Sequence, residues 1–261
     1  MDSLKKADKK KVLQLINKDK LQFFNEYKAI LEEDCEIFMD DNTSSFLLLQ
    51  NYPYGLFVSF IGFNNAFFES CLAWLKKDYK TINIAIPMPP FQVPDIINSQ
   101  DKLISKGVYK AFAGNGKSIN IQSNISDSSI RLLTKYDEKI VLSFKEEMHS
   151  NMIQLDAAFN DLVVNNNGEI YGYMDKNGKI IGYLSCGPEV DNIWDVIYIY
   201  VQREYRSSGI GTNLAKYYLN AKLKNDQIPY YSGVSNPASE AAAVKAGFTL
   251  CGERFSYEYH C

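Results

Sequence analysis

One short segment restricts the fold more than any other part of this 261-residue sequence. It reads Ile-Tyr-Val-Gln-Arg-Glu-Tyr-Arg-Ser-Ser-Gly-Ile-Gly-Thr over residues 199–212, leaving a strand-like stretch rich in β-branched and aromatic residues and entering a helical one. Backbone N–H groups at the start of a helix lack a partner within it and carry partial positive charge, so they suit a diphosphate. The segment therefore predicts an α/β unit with an anion site at its turn.

The residue types in this turn are suited to phosphate binding. Gly209 and Gly211 have no side chain that would block a close approach, and Arg206 adds a cation in a chain with only four arginines. Two other nucleotide-binding loops are excluded, because Leu214 replaces the third glycine of a dinucleotide fingerprint and no Lys-Ser/Thr pair follows the last glycine. A Gly-x-Gly turn alone is equally compatible with a purely structural strand-to-helix connection.

The sequence around the turn predicts further α/β elements. Strand-like stretches at 169–174 and 179–186 flank Asp175-Lys-Asn-Gly178, and an Asn-Gly pair readily forms a hairpin turn. After the helix predicted at 209–224, we expect a strand at 230–235, a helix at 237–245 and a strand at 254–259.

The first 125 residues show a separate mixture of helical and strand patterns. Helical spacing of apolar residues predicts helices within 13–31 and 65–77, with another near Asp95–Lys106, and strand patterns cover 46–49, 56–61 and 81–86. The Gly-, Asn- and Ser-rich stretch 114–129 predicts a domain boundary, which we place between residues 125 and 126. No internal repeat is apparent in the sequence.

Composition narrows the classes of function. A net charge of -3 provides no basic excess for nucleic-acid binding. The longest apolar run, 55–63, is too short to span a membrane, and no apolar stretch follows the N-terminal lysines, so we expect a cytoplasmic protein without a membrane segment. The five cysteines form no C-x-x-C pair and there are two histidines, so we expect no metal site.

Two blocks of the sequence resemble motifs of the GNAT superfamily of N-acetyltransferases. Residues 201–211 resemble the lead-in Val-x-Pro-x-Tyr-Arg and motif A, Gln/Arg-x-x-Gly-x-Gly/Ala, with Arg203 at the usual proline position. Residues 234–248 resemble the strand–helix segment that runs from Asn-x-x-Ser/Ala to a terminal Gly-Phe. The resemblance covers about 126–261. It implies an α/β fold with a C-terminal GNAT-like mixed sheet flanked by helices, preceded by a smaller α/β accessory domain at 1–125.

This resemblance also implies an activity and a set of site residues. The family transfers an acetyl group from acetyl-CoA, as co-substrate, to a primary amine by direct attack and without a covalent acyl-enzyme. The backbone of Ile199 and Val201 would pair with the pantetheine arm, and Asn236 would contact the same region. The pyrophosphate would lie on the amides of Arg206, Ser207, Ser208, Gly209, Ile210, Gly211 and Thr212.

The general base is the first open assignment. Asp195 lies eleven residues before Arg206, a spacing similar to that of the base in histone acetyltransferases of the superfamily. Burial in an apolar strand raises a carboxyl pKa toward a useful range. The alternative is a solvated aspartate at the start of the strand. Glu189 and Asp191 are further candidates in a predicted loop.

The general acid is the second open assignment. Ala243 occupies the position at which many family members carry the tyrosine that acts as the general acid. Tyr198 is our first candidate to replace it, and Tyr200, Tyr257 or a water are alternatives.

The acceptor is left open as a small-molecule or peptide amine. A non-catalytic acyl-CoA-binding module is the alternative function, because Ala243 and the unassigned base permit it. We expect residues 1–125 to shape the acceptor site or to provide the contact of a homodimer.

Overall fold

The computed structural model describes residues 4–40, 45–52, 55–62, 64–88, 103–114, 129–144 and 159–260. The chain divides into two compact units, Met1–Ala111 with Cys251–Cys261, and Phe112–Leu250. The structure thus groups the last eleven residues with the N-terminal unit. The predicted boundary between residues 125 and 126 lies outside the described residues and stays a prediction.

The first unit is a mixed sheet with three described helices. The strand order is β1-β2-β3-β4-β5-β12-β6, antiparallel from β1 to β4, parallel between β4 and β5, and antiparallel between β5 and β12. The strands are β1 (Leu4–Lys6), β2 (Glu36–Asp40), β3 (Phe46–Tyr52), β4 (Gly55–Ile61), β5 (Thr81–Met88), β6 (Leu103–Ala113) and the last strand of the chain, β12 (Thr249–His260). The last two residues of β6 and the first two of β12 are grouped with the second unit. The helices are α1 (Lys9–Ile16), α2 (Phe24–Leu31) and α3 (Asn65–Leu75).

The second unit has a sheet of order β7-β8-β9-β10-β11. It is antiparallel up to β10, and β10 and β11 are parallel because α5 connects them. The strands are β7 (Ile130–Leu132), β8 (Glu169–Met174), β9 (Ile180–Pro188), β10 (Ile193–Val201) and β11 (Ile228–Val234). The helices are α4 (Glu138–Ser143), a π-helical turn (Asn160–Val164), α5 (Ile210–Lys224) and α6 (Pro237–Ala246).

The two units repeat one order of elements. In each, a short strand and helical segments precede three antiparallel strands, and a helix then leads to a parallel strand. The helix α3 between β4 and β5 thus corresponds to α5 between β10 and β11. The sequence did not reveal this repeat, partly because the corresponding strand-to-helix connections differ in length, being residues 62–64 and 202–209.

Apolar side chains on opposite faces of the second sheet form two cores. One core lies beneath α5 and α6, where Leu214 and Tyr218 of α5 are fully buried at a spacing of four residues. The other contains Phe144, Tyr183 and Tyr200 on the opposite face. Burial of each large apolar side chain contributes about 1.5–3 kcal/mol to stability. These cores hold β10 between them.

The structure corrects one predicted element. The helix predicted near Asp95–Lys106 is wrong for residues 103–106, which begin β6, because pairing with β12 overrides the local pattern. The rest of that helix lies outside the described residues. Within the described ranges, no helix is long and apolar enough to cross a membrane, and no three His, Cys, Asp or Glu side chains are grouped as a metal site requires.

Candidate functional site

The parallel pairing of β10 with β11 stops after three residues. Residues 193–195 lie opposite residues 228–230, and both strands then continue without pairing to each other. A cavity of about 240 Å³, which we call the fork cavity, lies where they separate and is lined by 196–199, 231–234, Asn236 and Ser239. Backbone polar groups need hydrogen-bond partners, so strands that separate in this way offer such groups to a ligand.

A bulge in β10 determines which of its side chains face the core beneath α5. The register with β9 shifts between Val196 and Tyr198, leaving Ile197 as the extra residue. Because side chains alternate along a strand, one inserted residue exchanges the two faces. Val196 and Ile199 consequently share the core beneath α5, whereas Tyr198 packs on the opposite face of the sheet.

A larger cavity of about 390 Å³ lies at the start of α5, and we call it the α5 cavity. Eight of the ten residues predicted to bind the cofactor line it: Ile199, Val201, Arg206, Ser207, Gly209, Ile210, Gly211 and Thr212. Tyr205, Tyr231, Ala238, Ser239 and Ala242 line it as well, and sequence reasoning missed them. The start of α6 after Asn236 was a signal for Ser239 and Ala242, which are one turn apart on that helix.

The first turn of α5 differs from those of two other helices in this chain. Asn64 caps α3 by accepting from the amide of Phe67 at 3.0 Å, and Asn236 caps α6 by accepting from the amide of Ser239 at 2.8 Å. Gly209 occupies the N-cap of α5 and provides no side chain for this purpose. The start of α5 therefore offers amide donors and the positive end of a helix dipole to the α5 cavity.

The loop before α5 is shaped by two left-handed residues. Ser207 has φ 63° and Gly209 has φ 86°, a region that glycine adopts freely and serine rarely. Nε of Arg206 donates to the carbonyl of Val201 at 3.0 Å, and the Ser208 hydroxyl donates to the carbonyl of Tyr205. Ser208 lines neither cavity.

Gly211 faces the α5 cavity, although the packing of the protein does not require a glycine at this position. A Cβ at this position would meet Ile199 and Val201 only at 3.8 and 3.9 Å, which is ordinary contact. The lack of a side chain at this position therefore keeps space open in the cavity and does not relieve a clash with the protein.

The Asp195 carboxylate bridges the fork. Its oxygens accept from the amide of Ser232 at 3.0 Å and from the hydroxyl of Ser232 at 2.5 Å. Burial raises the pKa of Asp195 to about 6, against the lowering effect of these hydrogen bonds. Asp195 lines neither cavity, but Ser232 lines the fork cavity. Glu189 and Asp191 also lie outside the lining of both cavities.

Candidates for the general acid lie in different places. Tyr198 lines the fork cavity, and its ring centroid lies 6.3 Å from that of Tyr183. Tyr200 is buried against Phe144, and Tyr257 is buried in the apolar core of the first unit. Ala243 belongs to α6 and is completely buried on the inner face of that helix.

Tyr231 is the tyrosine that both cavities share. Its ring packs edge-on against Phe248, with centroids 6.1 Å apart, and it is 7% exposed. Burial raises the pKa of Tyr231, and a hydrogen bond with the Ser239 side chain opposes that rise. The fork thus contains a protonated phenol between the two cavities.

Comparison with protein families decides the classification. Residues 133–248 match the model of the acetyltransferase (GNAT) family. This stretch forms a GNAT acetyltransferase domain. The match includes the separating strands, the loop before α5 and all the lining residues of both cavities. No curated protein matches the chain.

Solved structures share the GNAT fold over nearly the whole chain. A GCN5-related N-acetyltransferase from Sphaerobacter thermophilus is 10% identical, with a TM-score of 0.66 and coverage of 98% of this chain and 95% of that one. A GNAT acetyltransferase from Colwellia psychrerythraea is 15% identical, with a TM-score of 0.59 and coverage of 98% and 99%. A tandem GNAT protein from the clavulanic acid biosynthesis pathway is 13% identical, with a TM-score of 0.54 and coverage of 98% of both chains. At these identities the likeness shows the fold.

Proposed function

We propose that the protein transfers an acetyl group from acetyl-CoA to a primary amine of a small molecule or peptide. The observation that carries this proposal is the α5 cavity, which joins a helix start without a side-chain cap to a fork between parallel strands. The GNAT classification of residues 133–248 supports acyl transfer as the chemistry.

The lining of the two cavities suits an acyl-CoA molecule. The amides of Gly209 to Thr212 and the Arg206 guanidinium provide donors and positive charge for a pyrophosphate. Ile199 lines both cavities, so a flexible arm in the α5 cavity reaches the fork past this residue. The unpaired edge of β10 offers the backbone groups that the amides of a pantetheine arm need.

The transfer requires one group that accepts a proton. The amine nitrogen attacks the thioester carbonyl carbon, the carbon–sulfur bond breaks, and the nitrogen must lose a proton. We assign this proton to Asp195, through the Ser232 hydroxyl that faces the fork cavity and donates to the carboxylate. A carboxyl with a pKa of about 6 is ionised at neutral pH and is therefore able to accept it.

The departing sulfur needs a proton donor, and we assign this role to Tyr231 in preference to Tyr198. Tyr231 lies where both cavities meet, and burial keeps its hydroxyl protonated at neutral pH. Tyr198 also lines the fork cavity but packs with the aromatic core on the opposite face of the sheet.

The alternative is a non-catalytic acyl-CoA-binding module. The buried Ala243 favours it, because this position carries no proton donor. Both functions predict acyl-CoA binding, so turnover distinguishes them.

A thiol-release assay tests the proposal. Acetyl-CoA is incubated with the protein and a panel of primary amines, and free CoA is measured together with the acetylated amine by mass spectrometry. We expect at least one amine to give stoichiometric thiol and amide, and Ser232→Ala to slow that reaction. Acyl-CoA binding without amide formation for any amine would favour the binding module instead.

A further inference from the structure

A third cavity lies entirely within the first unit and belongs to neither of the sites above. It has a volume of about 620 Å³ and is located between α2 and one face of the sheet. Asn25, Lys28 and Ala29 of α2 form one side of it, and side chains from β3, β4, β5, β6 and β12 form the other. We call it the α2 cavity.

The two faces of this sheet differ in character. On β4, Leu56, Val58 and Phe60 point into an apolar core with α3. The alternate residue Ser59 points to the α2 cavity. Ser59 lies opposite Ala85 on β5, and Ala85 lies opposite Ser256 on β12. This cross-strand row of small side chains leaves the space that the cavity occupies.

On the corresponding face of the second unit's sheet, the described residues pack aromatic rings against one another. There Tyr183 and Tyr200 lie beside Phe144, with ring centroids 6.1 and 5.1 Å from the phenylalanine. Protein interiors are normally packed to the density of organic crystals. The two units share one order of elements but differ on this face of the sheet. The second unit has packed aromatic rings there, and the first unit has a polar cavity.

Polar groups of the sheet supply hydrogen-bonding atoms in the α2 cavity. Gln50 and Asn83 carry amide side chains, and Tyr52 and Tyr109 carry hydroxyl groups. Nε2 of Gln50 donates to the Tyr52 hydroxyl at 2.9 Å and contacts Asp34 at 3.4 Å, so these groups form a connected set. Such a lining suits a ligand with hydroxyl or amide groups better than an apolar one.

The charges around the cavity favour a cationic group. Arg254 is held by Glu26, which is 1% exposed, through two contacts of 2.7 Å, so this pair adds no net charge. Of the remaining lining residues, Glu32 and Asp34 carry negative charge and Lys28 carries positive charge. The helix α2 ends at Leu31, and the negative end of its dipole lies beside Glu32.

We propose that the α2 cavity is a second ligand site, which binds a small polar molecule carrying a primary ammonium group. The ammonium lies against the exposed carboxylates of Glu32 and Asp34, and hydroxyl or amide groups of the ligand bond to Gln50 and Asn83. A phosphorylated ligand is disfavoured because the cavity has an excess of one negative charge. The proposal does not depend on acyl transfer in the second unit.

Paired probes test the charge requirement on the full-length protein. Glucosamine is compared with glucose, and 1,5-diaminopentane with 1,5-pentanediol, by ligand-observed NMR and calorimetry. We expect at least one ammonium probe to bind and its neutral counterpart to bind about tenfold more weakly or not at all. Absence of binding by both ammonium probes, or equal binding by the neutral counterparts, would overturn the proposal.

Variants locate the binding. The Glu32→Gln/Asp34→Asn double variant, at two exposed positions, is expected to weaken ammonium-probe binding about tenfold. Glu69→Gln, which removes a charge from α3 outside the cavity, is the control and is expected to leave binding unchanged. Ala85→Leu fills the cavity and is expected to abolish binding without lowering thermal stability. Undiminished binding by both the double variant and a folded Ala85→Leu protein would place the probe elsewhere and contradict the assignment.

Discussion

Asp195 and Ser232 connect β10 to β11 at the point where the two strands separate. The carboxylate accepts both the amide, at 3.0 Å, and the hydroxyl, at 2.5 Å, of the same serine. The amide of Ser232 lies two residues beyond the last paired residue of β11, so the aspartate provides the partner that β10 no longer offers. Asp195 therefore stabilises the geometry of the fork in addition to the role proposed for it as a base.

Asp195→Asn is expected to change how stability depends on pH. The pKa in the folded protein is raised from 3.8 to about 6, so ionisation of this residue opposes folding. Its stabilising contribution is complete below pH 3.8 and is lost as the pH rises through 6. We expect the free energy of unfolding of the wild type, relative to the variant, to fall by up to about 3 kcal/mol between pH 3.5 and 7. Denaturant titrations across this range measure it, and parallel pH curves would show an unperturbed carboxyl.

Gly211→Ala is expected to have opposite effects on stability and binding. Alanine raises helix propensity by about 0.5–1 kcal/mol, and its Cβ meets the protein only at 3.8 Å or more. The same methyl group enters the α5 cavity and weakens acyl-CoA binding. Asn220→Ala, on an exposed position of the same helix, is the control that gains stability and keeps binding. Thermal unfolding and calorimetry provide the two readouts, and unchanged affinity of Gly211→Ala would contradict the location of the site.

Tyr231→Phe and Tyr198→Phe distinguish the two candidate proton donors. Removing the Tyr231 hydroxyl is expected to lower kcat about 10²-fold or more while leaving the Kd for acetyl-CoA within about threefold. Tyr198→Phe is expected to have little effect on kcat. Single-turnover rates with acetyl-CoA at saturation provide the comparison. A large loss in Tyr198→Phe with normal rates in Tyr231→Phe would restore the assignment made from the sequence.

Lys222 is expected to matter for stability although it is a lysine on a helix. Lys222 is 1% exposed. Its Nζ atom lies 2.7 Å from Oε2 of Glu169 and 3.3 Å from the centroid of the Trp194 ring. Lys222→Ala removes a cation–π contact and an ion pair in which the lysine is buried and the Glu169 side chain is 29% exposed, and we expect a loss of up to about 3 kcal/mol. Lys224→Ala, exposed on the same helix, is expected to change stability by less than about 0.5 kcal/mol. Equal melting temperatures for the two variants would contradict this account.

The sequence predicted the part of the site that depends on local backbone chemistry. Gly209 and Gly211 indicated a strand-to-helix turn, and the structure has this turn with Gly209 in the left-handed region. The elements from 169 to 246 were predicted to within a few residues, because their hydrophobic periods and turn residues are distinct.

Features that depend on tertiary pairing were not predictable in this way. The bulge at Ile197 exchanges the faces of β10, so strict alternation does not identify the residues that line the α5 cavity. Tyr231 lines both cavities because β10 and β11 separate beside it. No local sequence pattern encodes this separation. The repeat of elements was similarly hidden, because the loop before α5 has no counterpart of equal length before α3.

Calorimetric titration of acetyl-CoA into wild type, Arg206→Ala and Arg203→Ala tests the central claim most directly. Arg206 lines the α5 cavity, whereas Arg203, three residues earlier in the same loop, does not, and both substitutions remove one positive charge. We predict binding to the wild type, a loss of affinity of about tenfold or more in Arg206→Ala, and near wild-type affinity in Arg203→Ala. No binding to the wild type, or equal affinities for all three proteins, would contradict the placement of an acyl-CoA site at the start of α5.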